Sequence, residues 1–145
     1  MTSEVDTQGI ARGILRSVSD DEIVLSIPGT DYRLHLTPSV PAAQITAPVG
    51  RPIRGVIEAV ALRIHTAEGG GRFIEPIYGA PRIVAGEVLY ADEVNRRVLV
   101  DVSVPMWVST QLGQDFSILR EGELVNFYVA SGTRFTPASS DHSTA

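Results

Sequence analysis

The chain has 145 residues, a net charge of −5 and no cysteine. This length suits one domain or two very small ones, and a hydrophobic content of 43% is sufficient for a core. The lack of cysteine excludes disulfides, thiolate metal sites and thiol nucleophiles. The negative charge disfavours general binding to nucleic acid, whose phosphates it would repel.

Both ends of the chain are polar. Residues 1–8 and residues 131–145 are rich in Ser, Thr and Asp and have no hydrophobic period, so we expect them to be disordered. The N-terminus lacks the apolar segment of a signal peptide, and no run approaches the ~20 apolar residues of a membrane helix. The sequence therefore predicts a cytoplasmic protein that does not enter a membrane.

Between residues 9 and 130 the hydrophobic residues alternate with polar ones, as in half-buried strands. The clearest segments are residues 32–36, 97–104 and 124–129. The residues predicted to face inward are Tyr32, Leu34, Leu36, Val98, Val100, Val102, Val104, Val125, Phe127 and Val129. Gly, Asp, Asn and Pro mark turns between these segments. The pattern predicts an all-β fold, with short turns of helix within residues 38–48 and 108–122.

The two halves of the chain resemble each other. The segment ARGILRSV around Gly13 is similar to VAGEVLYA around Gly86, 73 residues later. The segment GRPIRGVI, which begins at Gly50, is similar to GELVNFYV, which begins at Gly122, 72 residues later. Because two separate landmarks agree within one residue, the spacing indicates an internal repeat.

Many short strands in two similar halves are typical of small β-barrels. We predict two tandem barrels of the OB or SH3-like type, with a first unit at residues 9–79 and a second at residues 80–130. Closure into barrels would also remove exposed strand edges. The alternative is one barrel in which the two duplicated halves interlock. Residues 53–65 and 72–77 either join the halves or protrude between them.

Three consecutive glycines at residues 69–71 lie between two predicted strands. If this loop closes a hairpin in which His65 pairs with Arg72, then Arg63, His65 and Arg72 lie on one face. Two guanidinium groups and an imidazole are suited to a phosphate or carboxylate. The alternative is a turn whose polar residues face water.

Tyr78 and Arg82 follow in a proline-containing connector between the halves, where they could line a cleft. The candidate site for a small anion, such as a phosphate or a nucleotide, consists of Arg63, His65, Arg72, Tyr78 and Arg82. Met106 and Trp107 are a candidate interface, and they could equally belong to the core.

The sequence contains no recognisable catalytic set. The histidines do not have HxH or HExxH spacing, and no GxSxG motif occurs. We therefore predict a non-catalytic binding module without a metal or cofactor. Its expected partner is another protein or a second copy of itself, and the alternative partner is a small anion.

Overall fold

The computed structural model describes residues 8–69 and 71–138. Within them the regular structure consists of eleven β-strands and two short 3₁₀ helices, at Ala42–Gln44 and Phe116–Ile118. The strands are β1 (Ala11–Val18), β2 (Ile23–Ser26), β3 (Arg33–Pro38), β4 (Pro52–Ala67), β5 (Phe73–Glu75), β6 (Tyr78–Gly79), β7 (Ile83–Asp92), β8 (Arg97–Asp101), β9 (Pro105–Ser109), β10 (Leu124–Val129) and β11 (Arg134–Pro137). The all-β prediction is confirmed, and both 3₁₀ helices lie in the segments predicted to hold helical turns.

All eleven strands belong to one mixed sheet, and their pairings close into two rings of five strands. The first ring runs β1–β2–β3–β11–β4 and returns to β1. The second runs β4–β10–β7–β8–β9 and returns to β4. Each ring contains one parallel pair, β3 with β11 and β9 with β4. β5 lies beside β7, and β6 lies beside β3.

The 16-residue strand β4 is common to both rings. Its first residues pair with β1 and its last residues pair with β10, so the element does join the two halves of the chain. β11, from the C-terminal half, closes the first ring. The first ring therefore takes one strand from the predicted C-terminal tail, and the second ring takes β4 from the first predicted unit. Residues 9–79 and 80–130 do not form separate sheets.

The predicted C-terminal tail contains a strand. β11 pairs with β3 and with β4, and Phe135 within it has 0% exposure. Phe135 is the one buried aromatic residue among polar neighbours in this segment, so the hydrophobic alternation is too weak to predict a strand there. Residues 1–7 and 139–145, which were also predicted to be disordered, lie outside the described residues.

The predicted inward-facing residues are buried. Val98, Val100 and Val102 have 0% exposure, and so does Leu99, which means that both faces of β8 are covered. The single strand predicted at residues 97–104 is wrong, however. The chain reverses after β8, Ser103 adopts a φ of 80°, and Asp101 pairs with Pro105.

Candidate interaction surface

The glycine-rich loop does not close the predicted hairpin. β4 pairs with β10, β5 pairs with β7, and β10 and β7 pair with each other. The loop therefore carries the chain across two intervening strands, and the predicted pairing of His65 with Arg72 is wrong. β4 does not pair with β5 because β10 and β7 lie between them. Phe127 of β10 is opposite Ile64 of β4 on one side and opposite Val84 of β7 on the other, and all three side chains face the core. Direct pairing of β4 with β5 would exclude this apolar strand.

Arg72 lies beside two carboxylates. Its Nη2 is 2.5 Å from Oε1 of Glu87, and its Nε is 3.2 Å from Oδ2 of Asp101. Glu87 and Asp101 face each other on β7 and β8, so Arg72 relieves the repulsion between two neighbouring acids. Its positive charge is therefore compensated within the chain, which weakens its role in an anion site.

Tyr78 does not join Arg63 and His65 in a common cluster. The ring of Tyr78 is 64% exposed, and it lies 5.5 Å from Cζ of Arg33 and 6.4 Å from the ring of His35. These contacts belong to the first ring, whereas Arg63 and His65 lie on the part of β4 that pairs with β10. Arg82 is exposed immediately before β7.

The structure instead assembles a four-stranded surface in the order β4, β10, β7 and β5. The registers align two rows of side chains on its solvent side. We call these eight residues the outer face: Arg63, Tyr128, Ile83 and Glu75 in one row, and His65, Asn126, Ala85 and Phe73 in the other. The intervening row, which faces the core, contains Ile64, Phe127, Val84 and Ile74, each at most 2% exposed.

The outer face exposes large apolar side chains. Tyr128 is 60% exposed and Phe73 is 38% exposed, and Leu62 and Val60 extend the apolar surface along β4. The register between β4 and β10 shifts at this point, so Leu62 is an extra residue opposite β10 and projects into solvent. Tyr128 and Leu62 are neighbours in the register, and exposed apolar side chains that adjoin in this way are typical of interaction sites.

Met106 cannot form a surface contact. Its side chain is fully buried in the core, so its assignment as an interface residue is wrong. Trp107 is half-buried, with Cζ of Arg97 4.0 Å from its ring centroid and Tyr90 packed edge-on at 6.3 Å. Arg97 and Tyr90 therefore cover part of the indole, and only the rest of the ring remains open to a partner.

We consider two of the cavities that open on the described part of the chain. The smaller, about 300 Å³, lies between β5 and the loop before β3 and is lined by Asp31, Tyr32, Glu75 and Ile77 among others. Its lining contains two acidic residues and no basic residue, which disfavours an anion. The larger, about 1020 Å³, is an open groove along the first ring, lined in part by Arg12, Ile53 and Pro137. Neither cavity contains the predicted arginine cluster.

The described residues contain no group of three His, Asp or Glu side chains that could hold a metal ion. In the same residues, no helix has the length and apolar character needed to cross a membrane.

Sequence reasoning missed most of the outer face. A signal was present in β10, where Leu124, Asn126 and Tyr128 alternate with the core residues and so place a tyrosine toward solvent. The same alternation could not identify β7 and β5 as the strands that continue this surface.

Comparison with protein-family models, with curated proteins and with solved structures finds no match for this chain.

Proposed function

We propose that this chain is a non-catalytic binding module whose outer face contacts a protein partner, and that it is built from two interlocked, duplicated OB-type barrels. The observation that carries the function is the exposed aromatic surface around Tyr128 on a four-stranded sheet.

The strand order supports the OB-type assignment. In each ring the first three strands form an antiparallel meander, and the first strand also pairs with the fourth. A fifth strand, parallel to the third, then completes the ring. This is the order of a five-stranded Greek-key barrel of the OB type. The fifth strand of each ring comes from the other half of the chain. The halves therefore interlock, as in the alternative prediction, but their pairings form two rings and not the one barrel of that alternative.

Equivalent hydrogen bonds support the duplication. The N–H of Gly50 donates to the carbonyl of Leu15 at 2.7 Å, and the N–H of Gly122 donates to the carbonyl of Val88 at 2.9 Å. Both acceptors lie at a register shift, on β1 against β2 and on β7 against β8. Leu15 and Val88 are 73 residues apart, the same separation as Gly13 and Gly86.

The composition and shape of the outer face favour a protein partner. Tyrosine, phenylalanine and arginine are enriched in protein interfaces, and Tyr128, Phe73 and Arg63 all lie on this face. The surface is the side of a sheet and not a concave pocket, whereas small molecules bind in clefts. Its central strands have their backbone groups paired within the sheet, so the recognition would come from side chains.

The alternative function, anion binding, has weaker support. Arg72 is engaged with Glu87 and Asp101, and Tyr78 lies against Arg33 and His35. Only Arg63 and His65 share a strand on the outer face, and two such groups on an open surface would bind an anion weakly.

Site-specific photo-crosslinking tests the proposed function. Tyr128 is replaced by the photoreactive benzoylphenylalanine in cells that produce the protein, with Val94 and Leu112 as control positions. These controls are 91% and 93% exposed, lie in turns and are not residues of the outer face. We expect covalent protein adducts from position 128 at several times the yield from positions 94 and 112. Equal or absent adducts at position 128 would contradict an interaction through this face.

A further inference from the structure

We infer that the partner of the outer face is a second copy of this chain, related by a two-fold axis that runs along the strands between β10 and β7. This inference rests on the proposed function, because it identifies the protein that the outer face contacts. It is carried by the symmetry of the two rows of side chains.

The four strands are equally spaced, about 4.8 Å apart. Consider a two-fold axis that is parallel to the strands and lies above the sheet, midway between β10 and β7. Rotation about this axis packs the outer face of a second copy against the outer face of the first. It places β4 of one copy over β5 of the other, and β10 over β7. Because both copies contribute the same surface, every contact occurs twice.

Under this operation the row that begins with Arg63 complements itself. Arg63 faces Glu75 of the second copy, and Tyr128 faces Ile83 of the second copy. Within the part of the chain described, no acidic group lies within ion-pair distance of Arg63 and no basic group lies within that distance of Glu75. The two charges are therefore available to the partner, and they flank an apolar centre as in other protein interfaces.

The second row gives a compatible contact. His65 faces Phe73 of the second copy, and Asn126 faces Ala85, which is only 8% exposed and adds little surface of its own. An axis across the strands would instead place Arg63 over His65 and Glu75 over Phe73. That arrangement leaves each charge without an opposite charge, so the charges select the axis along the strands.

The contact area predicts a weak dimer. Four strands span about 19 Å across the sheet, and the two rows span about 10 Å along it. Such an area is well below the roughly 800 Å² per partner of a stable interface. We therefore expect association to depend on concentration and to weaken as salt screens the two charge pairs.

Sedimentation velocity of the purified full chain, from about 10 µM to about 1 mM, tests this arrangement. The variants are Arg63→Glu, Glu75→Arg and the double variant Arg63→Glu/Glu75→Arg. Each single charge reversal places two like charges opposite each other at both symmetry-related contacts of the dimer. We therefore expect it to raise the dissociation constant of the dimer at least tenfold. The double variant restores opposite charges and should restore association to within about threefold of the original chain.

Matched controls separate the geometry from net charge and from folding. Arg51→Glu and Glu93→Arg make the same charge changes in exposed turns outside the outer face, and we expect no change in association. Circular dichroism establishes that each variant is folded. Single reversals that associate like the original chain, or a double variant that stays monomeric, would overturn the proposed arrangement.

Sedimentation and crosslinking together separate self-association from binding to another protein. A chain that is monomeric at about 1 mM overturns the inference. If position 128 then still crosslinks to a protein of another mass, the outer face binds a different partner and the proposed function stands. A monomeric chain without crosslinks from position 128 contradicts both.

Discussion

The hydroxyl of Tyr32 accepts a hydrogen bond from the backbone N–H of Ile74 at 3.0 Å. Tyr32 precedes β3 of the first ring, whereas Ile74 is the middle residue of β5, which lies against β7 of the second ring. Both residues are buried, with exposures of 8% and 0%. One side-chain hydrogen bond therefore ties the free edge of β5 to the first ring and supports one end of the outer face.

Replacement of Tyr32 by Phe tests this link. The variant leaves the N–H of Ile74 buried without its acceptor, and we expect a loss of about 1–3 kcal/mol in the free energy of unfolding. Urea denaturation measures the loss. Tyr128→Phe is the matched control, because its hydroxyl lies on the exposed outer face, and its effect should stay within about 0.5 kcal/mol. Equal effects for the two variants would contradict a structural role for the Tyr32 hydroxyl.

Stability at alkaline pH should also depend on Tyr32. Burial raises the pKa of Tyr32 above its ordinary value of 10.0, partly offset by the hydrogen bond from Ile74. The unfolded chain therefore loses this proton at a lower pH than the folded chain, so the free energy of unfolding falls as the pH rises above about 10. Below that pH the contribution is fully present. Denaturation at about pH 9 and about pH 11 should show a smaller fall for Tyr32→Phe than for the original chain. Identical falls would contradict the raised pKa.

Gly50 and Gly122 should respond equally to substitution by Ala. Their φ angles are +91° and +90°, and a Cβ at either position would meet no atom within 4 Å. The effect therefore comes from the backbone alone, and we expect each variant to lose about 1–2 kcal/mol. Gly69→Ala is the control, since Gly69 also has open space but no positive φ. Thermal denaturation measures the three variants. A large difference between Gly50→Ala and Gly122→Ala would weaken the proposed duplication.

Phe135 tests whether β11 closes the first ring. Its side chain is fully buried, and Phe135→Ala should cost about 3–5 kcal/mol in the free energy of unfolding. Phe73→Ala removes the same atoms from the half-exposed outer face and should cost much less. Chemical denaturation of both variants gives the comparison. A neutral effect of Phe135→Ala would mean that the C-terminal segment is detached, as the composition of residues 131–145 predicts.

Trp107, the single tryptophan of the chain, reports on its own packing through its fluorescence. A Cβ at Gly9 would lie 2.5 Å from Nε1 of Trp107, so Gly9→Ala should displace the indole toward water and shift its emission to longer wavelength. Gly132→Ala is the control, because Gly132 has a similar positive φ and no neighbour within 4 Å. It should reduce stability without changing the emission. An unchanged emission in Gly9→Ala would show that the ring is not held against Gly9.

Part of the outer face could be predicted, and part could not. Alternation in residues 124–129 fixes Tyr128 on the side opposite Val125 and Phe127, because successive side chains of a strand point to opposite faces. The neighbours of that strand depend on contacts between residues distant in sequence. The pairing of β10 with β4 and β7 joins segments about 60 and 40 residues away, and nothing local encodes that choice.

The sequence by itself determined the all-β class, the positions of most turns and the burial of residues such as Leu34, Val100 and Phe127. Short-range periodicity and turn chemistry carry that information, because they act within a few residues. Only the tertiary structure decided that β11 closes the first ring, that Arg72 turns to Glu87 and Asp101, and that Arg63 and Glu75 lie at opposite ends of one row. Those outcomes depend on which strands pair. Strand pairing is decided by contacts between residues distant in sequence, which form together as the apolar core packs.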